Sequence, residues 1–167
     1  DEIRSRGLGD VYKRQKVGAL MHVGQPELLA GTKAGERAKA EGVTNGLCLN
    51  QEAWNTALVD RCEGYFSGLG GALNMIDVSN DVQQIETRTA AALSADPSID
   101  GILAAGPHVC AAANKAIKDV GADVHLACFD MSDDVTAMLR SGDASFTIDQ
   151  QQLSLIHISE PTRPSLI

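Results

Sequence analysis

Polar side chains that could bind a hydroxylated ligand follow the apolar runs of this 167-residue sequence. The clearest case is Asp130, which ends the run Val124–Phe129, a stretch that is too short for a helix and apolar except for His125. Such a run is typical of a strand buried on both faces of a parallel sheet. Because open α/β sheets bind ligands at the carboxyl ends of their strands, we expect Asp130 to lie at a ligand-binding edge.

Further polar residues follow the other predicted strands and are expected at the same edge. Arg61 lies about two turns into the helix after the second strand, and its side chain is long enough to reach back. A carboxylate and an arginine fork can take paired hydroxyls, amides can take the others, and an indole can cover a C–H face of a polyol. The candidate ligand-binding residues are Arg61, Asp130, Gln150, Trp54, Asn55, Gln25, Asn80, Pro107 and His108.

Each candidate also has a purely structural interpretation, which the sequence alone leaves open. Asp130 could cap the next helix, Arg61 could form a surface ion pair with Asp60 or Glu63, and Trp54 could anchor a loop. The remaining polar candidates could be ordinary loop or helix-terminal residues: Gln25, Gln150, Asn80 and His108.

Six short apolar runs alternate with five segments of helical periodicity, at steps of about 20–30 residues, which is the rhythm of right-handed βαβ units. This pattern predicts an α/β fold, a three-layer α/β/α lobe with a six-stranded, mostly parallel sheet. The predicted strands are Val17–Val23, Gly46–Leu49, Ala72–Val78, Gly101–Ala105, Val124–Phe129 and Ala144–Ile148.

Small residues and cysteines indicate how these elements pack. The first helix begins near Pro26 and carries a stripe of small side chains that we expect to allow close approach to the sheet. Cys48 and Cys62 flank the second loop and could form a disulfide or serve as two small core residues. The other cysteines, Cys110 and Cys128, are expected to be buried and inert.

The two ends of the chain do not look native. Read backwards, Leu153–Arg163 can be encoded by codons that are reverse complements of codons for Ser5–Gln15, so that CTG for Leu153 gives CAG for Gln15. Eleven consecutive codons fit this inverted repeat. The implied DNA resembles a sequencing adapter, so we assign residues 1–15 and 153–167 to non-native tails and residues 16–152 to an internal fragment. The alternative is a basic arm followed at the other end by a proline-containing tail.

Composition and missing motifs exclude several function classes. The chain has 22 acidic and 14 basic residues and a net charge of −8, which argues against nucleic acid or an anionic membrane as partner. It contains no apolar run of the ~18 residues that a membrane span needs, so no direct membrane insertion is expected. Zinc spacing, a nucleophile elbow and a phosphate-binding loop are all absent, and His108 and Cys110 diverge on their helix. We therefore expect no metal, no cofactor and no catalysis.

Five segments together resemble one family: Ala30–Glu36, Asp60–Phe66, Asp96–Ile102, Phe129–Asp130 and Thr147–Gln150. They are similar to the ribose-binding-like type I periplasmic binding proteins, the sugar receptors of bacterial ABC transporters. The resemblance extends over nearly all of residues 16–152. It implies that Arg61, Asp130 and Gln150 hydrogen-bond sugar hydroxyls, and that Asn80 and Gly106 occupy two further contact positions.

Two loops depart from the family pattern. The fourth loop reads Gly106-Pro107-His108, where ribose-type receptors often have an Asn-Asp pair, and Asn80 stands where an aromatic residue is common. The ligand therefore need not resemble a pentose, and Trp54 could supply the stacking surface instead.

The resemblance also implies partners and a location. Family members have two lobes with the ligand closed between them, and this segment corresponds to the second lobe, so we expect the fragment alone to bind sugar weakly or not at all. The full-length protein would deliver sugar to an ABC transporter permease and would be periplasmic or an extracellular, lipoprotein-anchored receptor. The rival interpretations are the effector domain of a LacI-like transcription regulator, which shares the fold, and an unrelated α/β enzyme lobe. An upstream signal peptide or lipoprotein cysteine would indicate the receptor, and a helix-turn-helix the regulator.

Overall fold

Helices and strands alternate through residues 25–151, the part of the chain that this computed structural model describes. The strands are β1 (Gly46–Asn50), β2 (Met75–Asp77), β3 (Gly101–Ala104), β4 (His125–Phe129) and β5 (Phe146–Ile148). The helices are α1 (Glu27–Ala40), α2 (Thr56–Leu69), α3 (Val82–Ala95), α4 (Pro107–Val120) and α5 (Asp133–Ser141).

The strands form one parallel sheet in the order β2-β1-β3-β4-β5. The predicted α/β class and parallel sheet are therefore confirmed, with small shifts at the ends of the strands. The described residues contain five of the six strands that we predicted, and the remaining one, Val17–Val23, lies outside them.

Two apolar cores lie on opposite faces of the sheet, which makes the unit Pro26–Gln150 a three-layer structure. Consecutive strand residues point to opposite faces, so Leu47 and Leu49 enter one core while Cys48 enters the other. The first core contains side chains of α3, α4 and α5, and the second contains side chains of α1 and α2. This alternation explains why the central strands are apolar along most of their length, with only Asn50 at the end of β1 and His125 at the start of β4 polar.

Each core contains one disulfide that joins a helix to a strand. Cys48 of β1 is bonded to Cys62 of α2, which realises one of the two alternatives that the sequence left open. Cys110 of α4 and Cys128 of β4 are buried as expected, but they are not unpaired, because they form the second disulfide. The Cα–Cα distance is 5.7 Å in both pairs, within the range that a disulfide can bridge.

Helices α1 and α2 cross with their backbones in direct contact. A Cβ atom built on Gly31 would lie 2.2 Å from the Arg61 carbonyl oxygen, and one built on Gly64 would lie 2.2 Å from the Leu28 carbonyl oxygen. Gly35 and Gly68 repeat this arrangement one turn later. The prediction that the small residues of α1 approach the sheet was therefore only partly right, since its glycines face α2 while Ala34 and Ala38 enter the core.

Candidate functional site

The carboxyl ends of all five strands lie along the same edge of the sheet, because every strand pair is parallel. Asp130 follows β4 directly, and Gln150 lies two residues after the end of β5. Asn55 is the N-cap of α2, and Pro107 is the first residue of α4. These four candidates therefore lie at the carboxyl edge of the sheet, where the strand-end rule placed them; their contact with a ligand stays a prediction.

Asp130 and Gln150 are brought together by the pairing of β4 with β5. The Asp130 backbone N–H donates to the Ile148 carbonyl at 2.8 Å, and the Thr147 hydroxyl donates to the Asp130 carbonyl at 2.8 Å. These two bonds hold Asp130 at a φ of 66°, a left-handed conformation that Asp tolerates better than most residues. The Gln150 amide then donates to Asp130 Oδ2 at 2.9 Å.

The helix-capping interpretation of Asp130 is wrong. Ser132 is the N-cap of α5, and its hydroxyl accepts from the Val135 backbone N–H at 3.1 Å. The Asp130 carboxylate is half-buried, and this burial raises its pKa above the ordinary value, although the nearby Arg61 charge and hydrogen bonds from Gln150 oppose the rise. The remaining acceptor capacity of the carboxylate is therefore available to a ligand that donates hydroxyl hydrogens.

Arg61 is buried and is held on three sides. Its Nε donates to Glu27 Oε2 at 2.7 Å and its Nη2 to Glu27 Oε1 at 3.2 Å, which forms a two-point ion pair. Its Nη1 donates to the Ala105 carbonyl at 2.9 Å, and the Phe129 ring lies 4.4 Å from the guanidinium carbon. The interpretation of Arg61 as a surface residue paired with Asp60 or Glu63 is therefore wrong.

Close packing of α1 against α2 is what creates this ion pair. Glu27 is the first residue of α1, where the helix dipole favours a carboxylate, and it stands next to Leu28, whose carbonyl contacts Gly64. Arg61 is one turn before Gly64 on α2. An arginine has five N–H donors, and hydrogen bonds to other residues of the range 25–151 occupy three of them, which leaves two without a partner in that range.

A second polar network links the loops that follow β1, β2 and β3. His108 Nε2 lies 3.2 Å from Asn80 Oδ1, and the Asn80 amide donates to Glu52 Oε1 at 3.4 Å. Glu52 Oε2 accepts from the Asn55 amide at 2.9 Å, and Asn55 Oδ1 accepts from the Ala57 backbone N–H at 3.1 Å. The structure thus brings three predicted candidates together around one glutamate.

The remaining candidates, Trp54 and Gln25, are not among the hydrogen-bonded residues described above. Trp54 is 80% exposed, which excludes the buried-anchor interpretation and leaves its ring free to cover a ligand. Gln25 has a buried amide nitrogen without a hydrogen-bond partner. Gln51 Oε1 is likewise buried without a partner, and the absence of a side chain at Gly106 gives the Gln51 amide its space.

Sequence reasoning missed Glu27, which forms the ion pair with Arg61, and Glu52, which accepts hydrogen bonds from Asn55 and Asn80. Glu27 looks like an ordinary acidic residue in a first helical turn, and no local pattern relates it to Arg61 34 positions away. Glu52 lies in a loop, and its partners Asn55 and Asn80 were noticed only for their own amides. Only the position of Glu52 in the loop that begins at the end of the second predicted strand, three residues after Leu49, could have signalled its role.

Residues 25–151 also include a cavity, but they do not meet the requirements of a metal site or of a helical membrane span. A cavity of about 340 Å³ opens near the amino ends of β3 and β4, lined by residues such as Leu93, Pro97, Ile99 and Val120. Within these residues no group of three or more histidine, cysteine or acidic side chains could hold a metal ion. None of the helices described is long and apolar enough to cross a membrane.

The family model described as periplasmic binding protein domain matches residues 11–156 of the chain. Among curated proteins, none matches the chain at a significant level. A solved carbohydrate transporter from Acidothermus cellulolyticus 11B, in complex with myo-inositol, is 33% identical with a TM-score of 0.78. The similarity covers 90% of this chain and 57% of that one.

Two further solved structures are less than 25% identical and show the fold alone. A periplasmic solute-binding protein of an ABC transporter from Actinobacillus succinogenes 130z, with bound D-allose, has 20% identity and a TM-score of 0.73, over 90% of this chain and 60% of that one. A periplasmic sugar-binding protein from Legionella pneumophila has 20% identity and a TM-score of 0.74, over 81% and 54%. The chain therefore spans little more than half the length of these three relatives.

Proposed function

This chain belongs to the periplasmic binding protein domain family, and we propose that it forms one lobe of a receptor that binds a sugar or related polyol for an ABC transporter. The observation that carries this proposal is the cluster of Arg61, Asp130 and Gln150 at the carboxyl edge. It offers acceptor sites on a carboxylate beside two arginine donors that have no partner within residues 25–151, and each hydroxyl of a polyol is both a donor and an acceptor.

The proposed ligand lies across this edge and contacts both polar groups. Arg61 donates to ligand oxygens, Asp130 accepts from ligand hydroxyls, and Gln150 holds the carboxylate in position. On the other side of the edge Asn55, Asn80 and His108 supply further polar contacts, and Trp54 covers an apolar face of the ring.

The second face of the site comes from a second lobe. Because the chain spans little more than half of its solved relatives, we propose that the lobe seen here supplies half of the ligand contacts. Sites for small ligands usually bury about 70–90% of the ligand surface, which one open face does not do. We therefore expect this chain alone to bind sugar with a dissociation constant in the millimolar range or weaker.

The disulfides favour a receptor over a cytosolic regulator. Two disulfides within residues 25–151 are typical of proteins that fold in an oxidising compartment. We propose a periplasmic or extracellular location, with a permease as the partner and without catalysis. A lipid anchor on the full-length protein is a prediction that its upstream sequence would test.

Binding can be tested by NMR titration of the isotope-labelled chain with myo-inositol, D-allose and D-glucose. We expect at least one of these neutral ligands to shift the backbone amides around Arg61, Asp130 and Gln150. Arg61→Ala should abolish those shifts, whereas Arg140→Ala, on the exposed end of α5, should leave them unchanged. The proposal fails if no neutral ligand shifts this cluster, or if Arg61→Ala leaves the shifts intact.

A further inference from the structure

Arg61 is the cation of the candidate site, yet its charge is already neutralised inside the protein. The two carboxylate oxygens of Glu27 accept hydrogen bonds from Nε and Nη2 of Arg61. Both side chains are largely buried, with 6% of Arg61 and 18% of Glu27 exposed. A pair held this way in a partly dry environment interacts more strongly than a surface pair, because water screens it less. The two donors left on Arg61 therefore belong to a guanidinium whose positive charge is balanced.

Unlike Glu27, Asp130 has no two-point ion pair with Arg61. Its carboxylate accepts a hydrogen bond from the Gln150 side-chain amide instead. The cluster thus contains two carboxylates and one guanidinium, a formal charge of −1. An anionic group entering it would meet Asp130 and the outer side of Glu27 without gaining an unpaired cation, which is unfavourable at short range.

We propose that Glu27 sets the charge preference of the site, so that it accepts neutral polyols and rejects sugar acids and sugar phosphates. This inference rests on the proposed function. It assigns Glu27 a positioning role: the residue directs the Arg61 fork and cancels its charge without contacting the ligand. Specificity here arises by leaving a wrong ligand without a partner, as much as by favouring the right one.

The test is the ratio of affinities for ligands that share a polyol frame and differ in charge. Suitable pairs are D-glucose with D-glucuronate, and myo-inositol with myo-inositol 1-phosphate, titrated by NMR against the whole chain. We expect the wild type to prefer the neutral member of each pair that binds. Glu27→Gln keeps an acceptor for Arg61 but removes the charge, and should move the ratio at least tenfold towards the anion, about 1.4 kcal/mol.

Two control variants separate the charge of Glu27 from other effects. Glu86→Gln changes the net charge by the same amount at the surface pair with Lys115, and should leave the ratio unchanged. Glu27→Asp retains the charge and should retain the preference of the wild type. A purely structural role for Glu27 would weaken neutral and anionic ligands equally and would leave the ratio fixed.

Each outcome decides the inference. A wild type that binds neutral sugars but takes the anions equally well, or a Glu27→Gln ratio that matches Glu86→Gln, overturns the role of Glu27 and leaves the proposed function standing. A wild type that responds to no neutral ligand overturns both. If Glu27→Gln does not fold, a wild type that takes the anions as readily as the neutral ligands still overturns the inference.

Discussion

Replacing Gly64 with alanine would test the helix crossing on which the candidate site depends. The new Cβ would lie 2.2 Å from the Leu28 carbonyl oxygen and 2.8 Å from the Thr32 backbone nitrogen. These distances are well below the ~3.5 Å of a favourable contact. Because both obstacles are backbone atoms of a helix, no side-chain rotation relieves the clash, and α1 and α2 must separate.

Two effects of opposite sign then compete. Alanine is favoured over glycine inside a helix by about 1 kcal/mol, whereas forcing extra volume into a packed interface costs about 1–3 kcal/mol or more. Since the clash at Gly64 involves the backbones of both helices, we expect its cost to reach the upper end of this range and to dominate, with a net loss of about 2 kcal/mol in the free energy of unfolding. Separation of the helices should also pull Glu27 away from Arg61 and weaken sugar binding.

Urea unfolding gives the free energy from the midpoint and slope of the transition. Ser67→Ala is the matched control, because Ser67 is exposed on the same helix, and it should change stability by no more than about 0.5 kcal/mol. A Gly64→Ala variant that is more stable than the parent by about 1 kcal/mol would show that helix propensity dominates. That result would refute the close backbone contact between α1 and α2.

Three further changes make separate predictions. Burial raises the pKa of Asp130, so Asp130→Asn should slightly stabilise the ligand-free fold at neutral pH and should weaken sugar binding. At acid pH the carboxyl is protonated in the folded and unfolded states, so urea midpoints of variant and parent that fail to converge there would contradict this. Burial alone would raise the pKa of Asp100, but hydrogen bonds from Thr44 and Asn45 together lower it, so Asp100→Asn should cost about 1–2 kcal/mol near neutral pH, a loss that fades as the pH falls through the lowered pKa. Replacing Cys48 and Cys62 by alanine should cost about 3 kcal/mol, because the bond closes a loop with a sequence separation of 14, and a reductant should then destabilise the variant less than the parent.

The alternation of strands and helices was predictable because each element has its own spacing of apolar residues within a short segment of the sequence. A central parallel strand such as β4 is buried on both faces, so it appears as an apolar run after His125, and the next polar residue must lie at the carboxyl edge. This reasoning placed Asp130 and Gln150 on one edge without any knowledge of the neighbouring strands. It could not give the hydrogen bond between them, which depends on the register of β4 against β5.

No local sequence pattern indicates which distant elements contact each other. The stripe of small residues in α1 was visible, but the sequence does not say whether such a stripe meets a sheet or another helix. The pairing of Cys110 with Cys128 was equally hidden, because spacing alone does not distinguish bonded cysteines from small core residues. In both cases the sequence did not show which face of one element packs against which neighbouring element.

The most consequential omission, Glu27, has the same origin and explains why packing and specificity are linked in this lobe. Glycines at positions 31 and 64 let α1 and α2 approach until the first residue of α1 reaches the guanidinium on α2. The charge of the candidate site is therefore determined by a helix crossing as well as by the residues that face the ligand. A substitution that widens the crossing, such as Gly64→Ala, should free the charge of Arg61 and shift the ligand preference towards anions, in the same direction as Glu27→Gln. A Gly64→Ala variant that weakens neutral and anionic ligands equally would show that the crossing controls stability alone.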